Sequence, residues 1–529
     1  MTRDHSEDGS VSILNETAPE TTPRKLSLPV ATLIGILALA AALGAGHLVA
    51  GFVGYTASPF IAVANFVIDH SPQGIVKWAE QTLGTWDKTV LKLGLAVVLL
   101  LFAVLAGQLS RRRPLAGQIL VVALGLAGIA AVYVRTDLGQ VSLLAPVAAL
   151  IAGFAVFTWL HRLLLPPDFG DAQGFDRRKF LRAGIGVTAG AGVAAVAGQL
   201  LGTSSNAEDS RAAVGPLVPA RKAPPLPPDA DFAKLGSPPF ITRNPDFYRI
   251  DTALIVPQVR TEDWSLRIHG MVDREITFSY NDIRSRPLVE RPVTLTCVSN
   301  EVGGPLISNA EFIGVDLVDL LNEAGVQPGA EQMFATSVDG WTCGTPANVA
   351  LDPRRGAMLA IGMNGEPLPV EHGFPARIVI PGLYGYVSAT KWVKDLEFTK
   401  WDAQQAYWLS RGWAEQAPIK TESRIDTPRG FAKVGAGKVR VAGAAWAQHT
   451  GVAKVEVRVD QGPWQPAVLS AEVSKDTWRM WWAEVDVPKG THQVFVRTTD
   501  QSGYTQTDHR ADPVPDGATG WHSVTIDAA

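Results

Sequence analysis

The run Val293-Thr-Leu-Thr-Cys-Val-Ser-Asn-Glu-Val-Gly-Gly304 places a thiol where an apolar, β-branched stretch gives way to polar residues and a glycine pair. The pattern predicts a buried strand ending in a loop, with Cys297 at the strand end. A thiolate so placed can ligate a soft or high-valent metal. It can equally be a packed core residue, or half of a disulfide with Cys343, the other cysteine of the chain. Two cysteines in 529 residues exclude a disulfide framework, a Cys-rich zinc site and a four-Cys iron–sulfur cluster. A C-x-x-C-H run for covalent haem attachment is missing as well. A second signal is Ala376-Arg-Ile-Val-Ile-Pro381, which reads as a buried strand carrying one arginine. A buried guanidinium needs an anionic partner, and a phosphate-bearing ligand would supply one.

The elements that position these groups belong to a chain too long for one domain. Net charge is −4, which gives no support for nucleic-acid binding, and 47% of residues are hydrophobic. The apolar excess lies in the first two hundred residues. After a polar tail over residues 1–25, four segments of roughly 20 apolar residues can each span a bilayer: Leu28–Gly51, Val90–Leu109, Leu115–Val134 and Val141–Leu160. A fifth, Ala183–Gly202, is rich in glycine and alanine. Arg24 and Lys25, then Arg111–Arg113, then the cluster from His161 to Arg182 all fall on one side if five helices alternate. By the positive-inside rule that side is the cytoplasm, so the chain after residue 202 is expected outside. The loop 55–86 is expected outside too, with a short interfacial helix over Ile75–Leu83. His47, His70 and His161 sit in or near the bilayer and read as interfacial residues, with haem or quinone chemistry as the alternative.

Asp176-Arg-Arg-Lys-Phe-Leu-Arg182, followed by a weakly hydrophobic stretch, resembles a twin-arginine export signal, although it is internal and Asp stands where Ser or Thr is usual. That route carries folded proteins and suits one that must receive a cofactor before export. Residues 203–239 are rich in Ser, Ala and Pro and are expected to form an extended spacer, not a helix or central strand. Beyond them Thr261–Gly270 alternates like a strand. Val315–Ala324 has helical spacing and stops at Gly325. Met363-Asn-Gly-Glu-Pro-Leu-Pro369 is turn chemistry.

Together the motifs resemble the sulfite oxidase family of molybdopterin enzymes over about residues 240–529. The shared features are Thr242-Arg-Asn244, Thr294-Leu-Thr-Cys297 with Asn300, Ala357–Pro369, His372-Gly-Phe-Pro-Ala-Arg377, Pro381-Gly382 and Thr390-Lys-Trp392. The five-span prefix resembles actinobacterial membrane-anchored members. The resemblance implies a molybdenum–molybdopterin cofactor with a single pyranopterin, and Cys297 as the protein thiolate on the metal. Arg243, Asn244, Phe247 and Tyr248 match the segment that grips the pterin. Thr336, His372 and Arg377 match further cofactor contacts, and Ser388 and Lys391 fall in the phosphate loop. No haem or iron–sulfur cluster is expected in this chain.

The departures bear on substrate. Sulfite oxidases follow the cysteine with Ala-Gly-Asn-Arg-Arg, and this chain has Val298-Ser-Asn-Glu-Val302. Val387 also stands where an arginine is expected. Fewer cations should weaken binding of a sulfite dianion, which leaves sulfite-like and sulfoxide-like substrates both open. Trp341 and Cys343 occupy a stretch near the pocket in relatives. Glu301 reads either as a proton donor or as a carboxylate bonded to its own loop.

Short alternating runs such as Val455–Val459 and Trp482–Val487, separated by turn residues, predict an immunoglobulin-like β-sandwich. It resembles the dimerisation domain of sulfite oxidases, including Gly520-Trp-His522, so homodimerisation through it is implied. The cluster Trp478–Trp482 is expected in the core.

The organisation read from sequence is therefore a cytoplasmic tail (1–25), four transmembrane helices (26–165), a twin-arginine-like segment with the fifth helix (166–202), a linker (203–239), an α+β molybdopterin domain (240–410) and an immunoglobulin-like domain (411–529). The expected function is a multi-pass membrane protein whose extracytoplasmic part transfers oxygen atoms on a small substrate. It would exchange electrons with a separate quinone or cytochrome and reach its location through the twin-arginine machinery. The alternative is a non-catalytic, membrane-anchored binding or assembly module.

Overall fold

The structure, a computed structural model, describes residues 25–83, 86–135, 138–164, 177–202 and 207–529. The polar tail up to Arg24, residues 165–176 and the start of the linker lie outside the described residues. Two compact units are present, one within the first 202 residues and one over the rest of the described chain.

In the first unit five helices are long and apolar enough to cross a membrane. They include Leu28–Val53, Asp87–Leu109, Leu115–Tyr133, Leu144–Leu164 and Arg177–Gly202. Small residues set their packing. A Cβ on Gly35 would lie 1.9 Å from the carbonyl oxygen of Ala103, and one on Gly107 would lie 1.9 Å from that of Ala31. Backbones this close need glycine, the usual device of helix association in lipid. Gly198 meets the carbonyl of His47 in the same way at 2.5 Å. The last helix starts at Arg177, so the basic run forms its first turns. Besides the short helix Gln73–Leu83, the expected outer loop holds a second one, Pro59–His70, which opens on a proline at its first position. His161 is buried among the helices, in the last turn of Leu144–Leu164.

The second unit opens with a correction. Residues 207–239 are not a spacer. Ala207–Val214 is a helix, because the prolines begin only at Pro216. The following stretch is extended, as its prolines require, but it bonds along a sheet edge. Ala220 and Arg221 donate backbone N–H to Leu288, and Glu290 donates to Arg221. Extended backbone with N–H groups free between its prolines can pair with an edge strand as readily as it can span a gap.

Two five-stranded sheets follow. One runs, in spatial order, Ile276–Ser279, Ser265–Gly270, Val393–Thr399, Gln332–Ser337, Thr342–Pro346. The other orders Val289–Thr296, Ile307–Asp316, Met358–Met363 and Glu366–Pro367, with Arg377–Val379 also paired to Met358–Met363. The helix Leu317–Ala324 buries Leu317, Leu320 and Leu321 and ends at Gly325 in the left-handed region. Asn364 and Gly365 both have positive φ, as a two-residue hairpin turn requires.

The last hundred residues form a four-stranded and a five-stranded sheet. Val439, Val441, Trp481 and Val485 of one share a core with Val455, Val457, Val494, Val496 and Ile526 of the other. The four-stranded sheet has a second buried face. Ala444, Trp446, Trp478 and Met480 join the core of the preceding domain. There Thr294 is held on three sides: its N–H donates to Asp476 O at 3.0 Å, its carbonyl accepts from Gln448 Nε2, and its Oγ1 accepts from Trp478 N–H at 2.8 Å. The strand that carries the thiol is thus braced by the C-terminal sheets.

Candidate active site

Cys297 is the first residue after the strand Val289–Thr296. Its N–H donates to Leu306 O at 3.0 Å and its carbonyl accepts from Asn300 N–H at 3.0 Å. Asn300 Oδ1 accepts the N–H of Leu306 at 2.8 Å, which closes the loop into a ring. Gly303 needs its glycine twice over. Its φ is +79°, and a Cβ would lie 2.1 Å from Cδ2 of His522. Glu301 lies exposed on this loop, and its carbonyl accepts from Gly304 N–H at 2.7 Å. No disulfide joins Cys297 to Cys343. Cys343 is buried, and burial pushes its thiol up to about 11, so it is not a nucleophile at neutral pH.

Tyr248 feels the charges of both Cys297 and Arg377, and Arg377 in turn bonds His372. Burial raises the Tyr248 phenol well above its usual value, with the Cys297 charge adding to the shift and Arg377 opposing it. A Cβ on Gly385 would lie 3.8 Å from both Tyr248 Oη and Thr296 O, so the Gly385 turn closes over the end of the strand. Arg377 is 5% exposed. It donates from Nη1 to His372 O at 3.1 Å and from Nη2 to Ala389 O at 3.5 Å. Burial pulls its guanidinium down to about 10. His372 is 3% exposed and donates from Nε2 to Asn244 O at 3.1 Å. Burial, then the Arg377 charge, lowers it to about 4, so the ring is neutral at physiological pH. Phe247 meets the His372 ring edge-on at 5.4 Å. Asn244, Phe247, Arg249, Glu371 and His372 line a cavity of about 400 Å³.

Lys391 stands on the adjacent turn. Its Nζ donates to Asp251 Oδ2 at 2.9 Å and to Glu371 O at 3.3 Å. Burial lowers it to about 8, and Asp251 opposes the shift. Gly373 brings the two cationic elements together: a Cβ there would lie 3.1 Å from Arg377 Cβ and 3.2 Å from Lys391 Cα. Ser388 is fully buried and its hydroxyl donates back to Leu383 O and Tyr384 O at 2.9 and 3.0 Å. Thr336 stands apart in the other sheet, opposite Asp395 and Thr342. Arg243 is exposed and paired with Asp246 at 2.7 Å. It borders a second cavity of about 490 Å³, which Gly303, Ser308, Arg424, Arg429 and His522 also line.

Sequence reasoning did not single out Asp251, Glu366, Asn364, Arg424 or His522 as site residues. Asn364 and Glu366 lie within a motif it recognised. His522 lies in the recognised Gly520-Trp-His522 run, whereas Asp251 and Arg424 come from remote segments with no local signature.

Comparison with known proteins agrees with this geometry. A family described as "Oxidoreductase molybdopterin binding domain" matches residues 253–408. Human mitochondrial sulfite oxidase is 29% identical over 303 residues, covering 49% of this chain and 55% of that protein. A Bacillus subtilis protein named "Uncharacterized oxidoreductase YuiH" is 34% identical over 150 residues, which is 28% of this chain and 72% of the relative. The chain belongs to the sulfite oxidase family of molybdopterin oxidoreductases. A nitrate reductase of Emericella nidulans is also 34% identical, over 187 residues that cover 31% of this chain and 21% of that enzyme. The chain spans about half the length of the mitochondrial sulfite oxidases it matches.

The family cofactor is molybdenum on molybdopterin, and the residues present fit it. Arg377 Nε, Asn300 Nδ2 and Thr296 Oγ1 are buried without a protein partner. Buried polar atoms of this kind are rare unless a bound group satisfies them. Among the described residues no three His, Cys, Asp or Glu side chains group into a metal site. The chain would offer a metal the Cys297 thiol, and an anionic cofactor would meet Arg377 and Lys391.

Proposed function

We propose that this protein is a membrane-tethered molybdenum oxidoreductase whose extracytoplasmic part transfers an oxygen atom to or from a small substrate. The observation that carries the reading is the convergence of the Cys297 thiol, the buried Arg377 with its unpartnered Nε, and neutral His372 on the segment Asn244–Tyr248. The bound cofactor would supply two-electron redox chemistry at molybdenum. The chain's own part is to hold and orient. Cys297 provides the protein thiolate. Arg377 and Lys391 neutralise the anionic end of the cofactor. His372 donates from Nε2 to Asn244 O and so fixes the backbone of the gripping segment. Phe247 and Tyr248 close the site against water. Thr336 and Ser388 are proposed as peripheral contacts only, Ser388 through its lone pairs because its proton is already engaged. Glu301 is proposed to move protons at the exposed mouth.

The Arg424 groove beside the Cys297 loop is proposed as the substrate entrance. It holds Arg243, Arg424 and Arg429 against Asp246 and Asp426. Three cations against two carboxylates favour a weakly charged or strongly dipolar oxo-acceptor over a dianion. Electrons pass to a separate carrier, a quinone or a cytochrome. Basic clusters on one side of five spans support an outside location for the catalytic unit, and the Arg177-Arg178 segment supports twin-arginine export. The C-terminal sheets are proposed as an immunoglobulin-like domain that also dimerises, with domain limits at residues 240–410 and 411–529.

The test is molybdenum and pterin content of the full-length protein purified from its native host. One pterin and one molybdenum per chain are expected. A folded, metal-free protein would sink the reading.

A further inference from the structure

The segment that enters the catalytic unit ends in a fork no sequence pattern foretold. Arg211, on the helix Ala207–Val214, is 16% exposed at its side chain and uses all three of its nitrogens. Nε donates to Pro367 O at 3.1 Å and to Leu368 O at 2.9 Å. Nη1 meets Glu208 Oε1 at 2.7 Å, and Nη2 meets Glu366 Oε2 at 2.8 Å. The other oxygen of Glu366 accepts from Asn244 Nδ2 at 2.5 Å. Asn244 Oδ1 in turn accepts from Asn364 Nδ2 at 2.7 Å, and Asn244 O accepts from His372 Nε2 at 3.1 Å. One carboxylate therefore bridges Arg211 and the residue at the centre of the proposed cofactor clamp, and each of its oxygens has one partner.

We propose that Arg211 is a positioning residue for the cofactor: through Glu366 it fixes the side chain of Asn244, so the segment between the last membrane helix and the catalytic unit sets how firmly the cofactor is held. This rests on the cofactor reading above. Arginine suits the task because its planar fork engages two backbone carbonyls and two carboxylates at once, and lysine can satisfy only part of that set. Without Arg211 the Glu366 carboxylate loses its counter-charge and is free to swing away, and Asn244 loses its orienting acceptor. Residues that orient a ligand from behind typically change metal affinity by about 10- to 100-fold when removed.

The experiment measures pterin release and residual molybdenum from purified full-length protein, by pterin fluorescence and metal analysis. Arg211→Ala is expected to release pterin about tenfold faster than wild type, with Arg211→Lys in between. Arg221→Ala is the control on the same segment. Arg221 is mostly exposed and pairs with Asp316 at 2.9 Å, away from Asn244, so its release rate should be that of wild type. Combined with Asn244→Ala, Arg211→Ala should add nothing further. Equal release from Arg211→Ala and wild type would overturn the proposal, as would equal acceleration by Arg221→Ala. Where Arg211→Ala does not fold, Glu366→Gln keeps the shape and removes the charge. Faster release from it supports the proposal, and wild-type release overturns it. Wild-type protein without pterin would overturn the cofactor reading itself, an outcome distinct from tight retention in every variant.

Discussion

Arg424 donates from Nη1 to the carbonyl oxygen of Gly304 at 2.8 Å, and so ties a strand of the C-terminal sheets to the loop that follows Cys297. A strand of the other C-terminal sheet adds His522, whose Nδ1 accepts the N–H of Ile425 at 2.9 Å while its ring packs on Gly303. Together with the three bonds to Thr294, this makes the C-terminal sheets part of the frame of the site.

Arg424→Ala removes a charged donor from a half-buried loop carbonyl and leaves Asp426, 2.9 Å from the arginine, without its nearest cation. A loss of about 2–3 kcal/mol is expected in urea unfolding of the second unit. Turnover should fall as the loop loosens, and Arg424→Lys should recover part of both. Unchanged stability would show that the clamp is ornamental.

Glu422 opens the same strand, 4% exposed, with Oε1 unpartnered. Burial raises its carboxyl from 4.5 to about 8, against the pull of Lys420. The folded protein keeps this proton while the unfolded chain gives it up above pH 4.5. The stabilisation is therefore complete below pH 4.5 and lost as pH rises through about 8. Glu422→Gln should match wild type at pH 5 and be more stable at pH 8.5 by about 4 kcal/mol. Thermal unfolding at the two pH values checks it, and equal shifts at both would contradict it.

His372 and His522 carry the opposite dependence. Burial first, then neighbouring arginines, lowers each from 6.5 to about 4. Both rings are neutral in the fold, so their contribution is full above pH 6.5 and is lost as pH falls towards 4. In cofactor-free protein, His372→Asn should flatten the stability slope in this window by about 1.4 kcal/mol per pH unit. An unaltered slope would mean the His372 ring is protonated in the fold.

Arg177-Arg178→Lys-Lys keeps the charge at the start of the last membrane helix and removes the arginine pair. Protease access to the second unit in intact cells is expected to disappear. Normal exposure would rule out dependence on twin-arginine export.

The sequence made the local features legible. The thiol at a strand end, the Asn364-Gly365 turn and the helix stopping at Gly325 each follow from a few adjacent residues. Arg377 was readable as a buried charge because its neighbours are all apolar. Bonds between distant segments were not readable. Trp478 and Thr294 are 184 positions apart, and nothing near either one encodes the pair. The same holds for the arginines of the groove. The loss of two arginines after Cys297 is visible locally, whereas the supply of Arg424 and Arg429 from another domain is not. Prolines in residues 203–239 begin only at Pro216, so the expectation of no helix failed at Ala207–Val214, and they said nothing about which edge an extended segment would join.

The most direct measurement is X-ray absorption at the molybdenum edge, on full-length wild-type protein and on Cys297→Ser. Three sulfur neighbours are expected in the wild type, two from the pterin dithiolene and one from Cys297, with one sulfur lost in the variant and redox turnover abolished. An unchanged sulfur count in Cys297→Ser, or wild-type protein free of molybdenum, would contradict the assignment of Cys297 as the metal ligand.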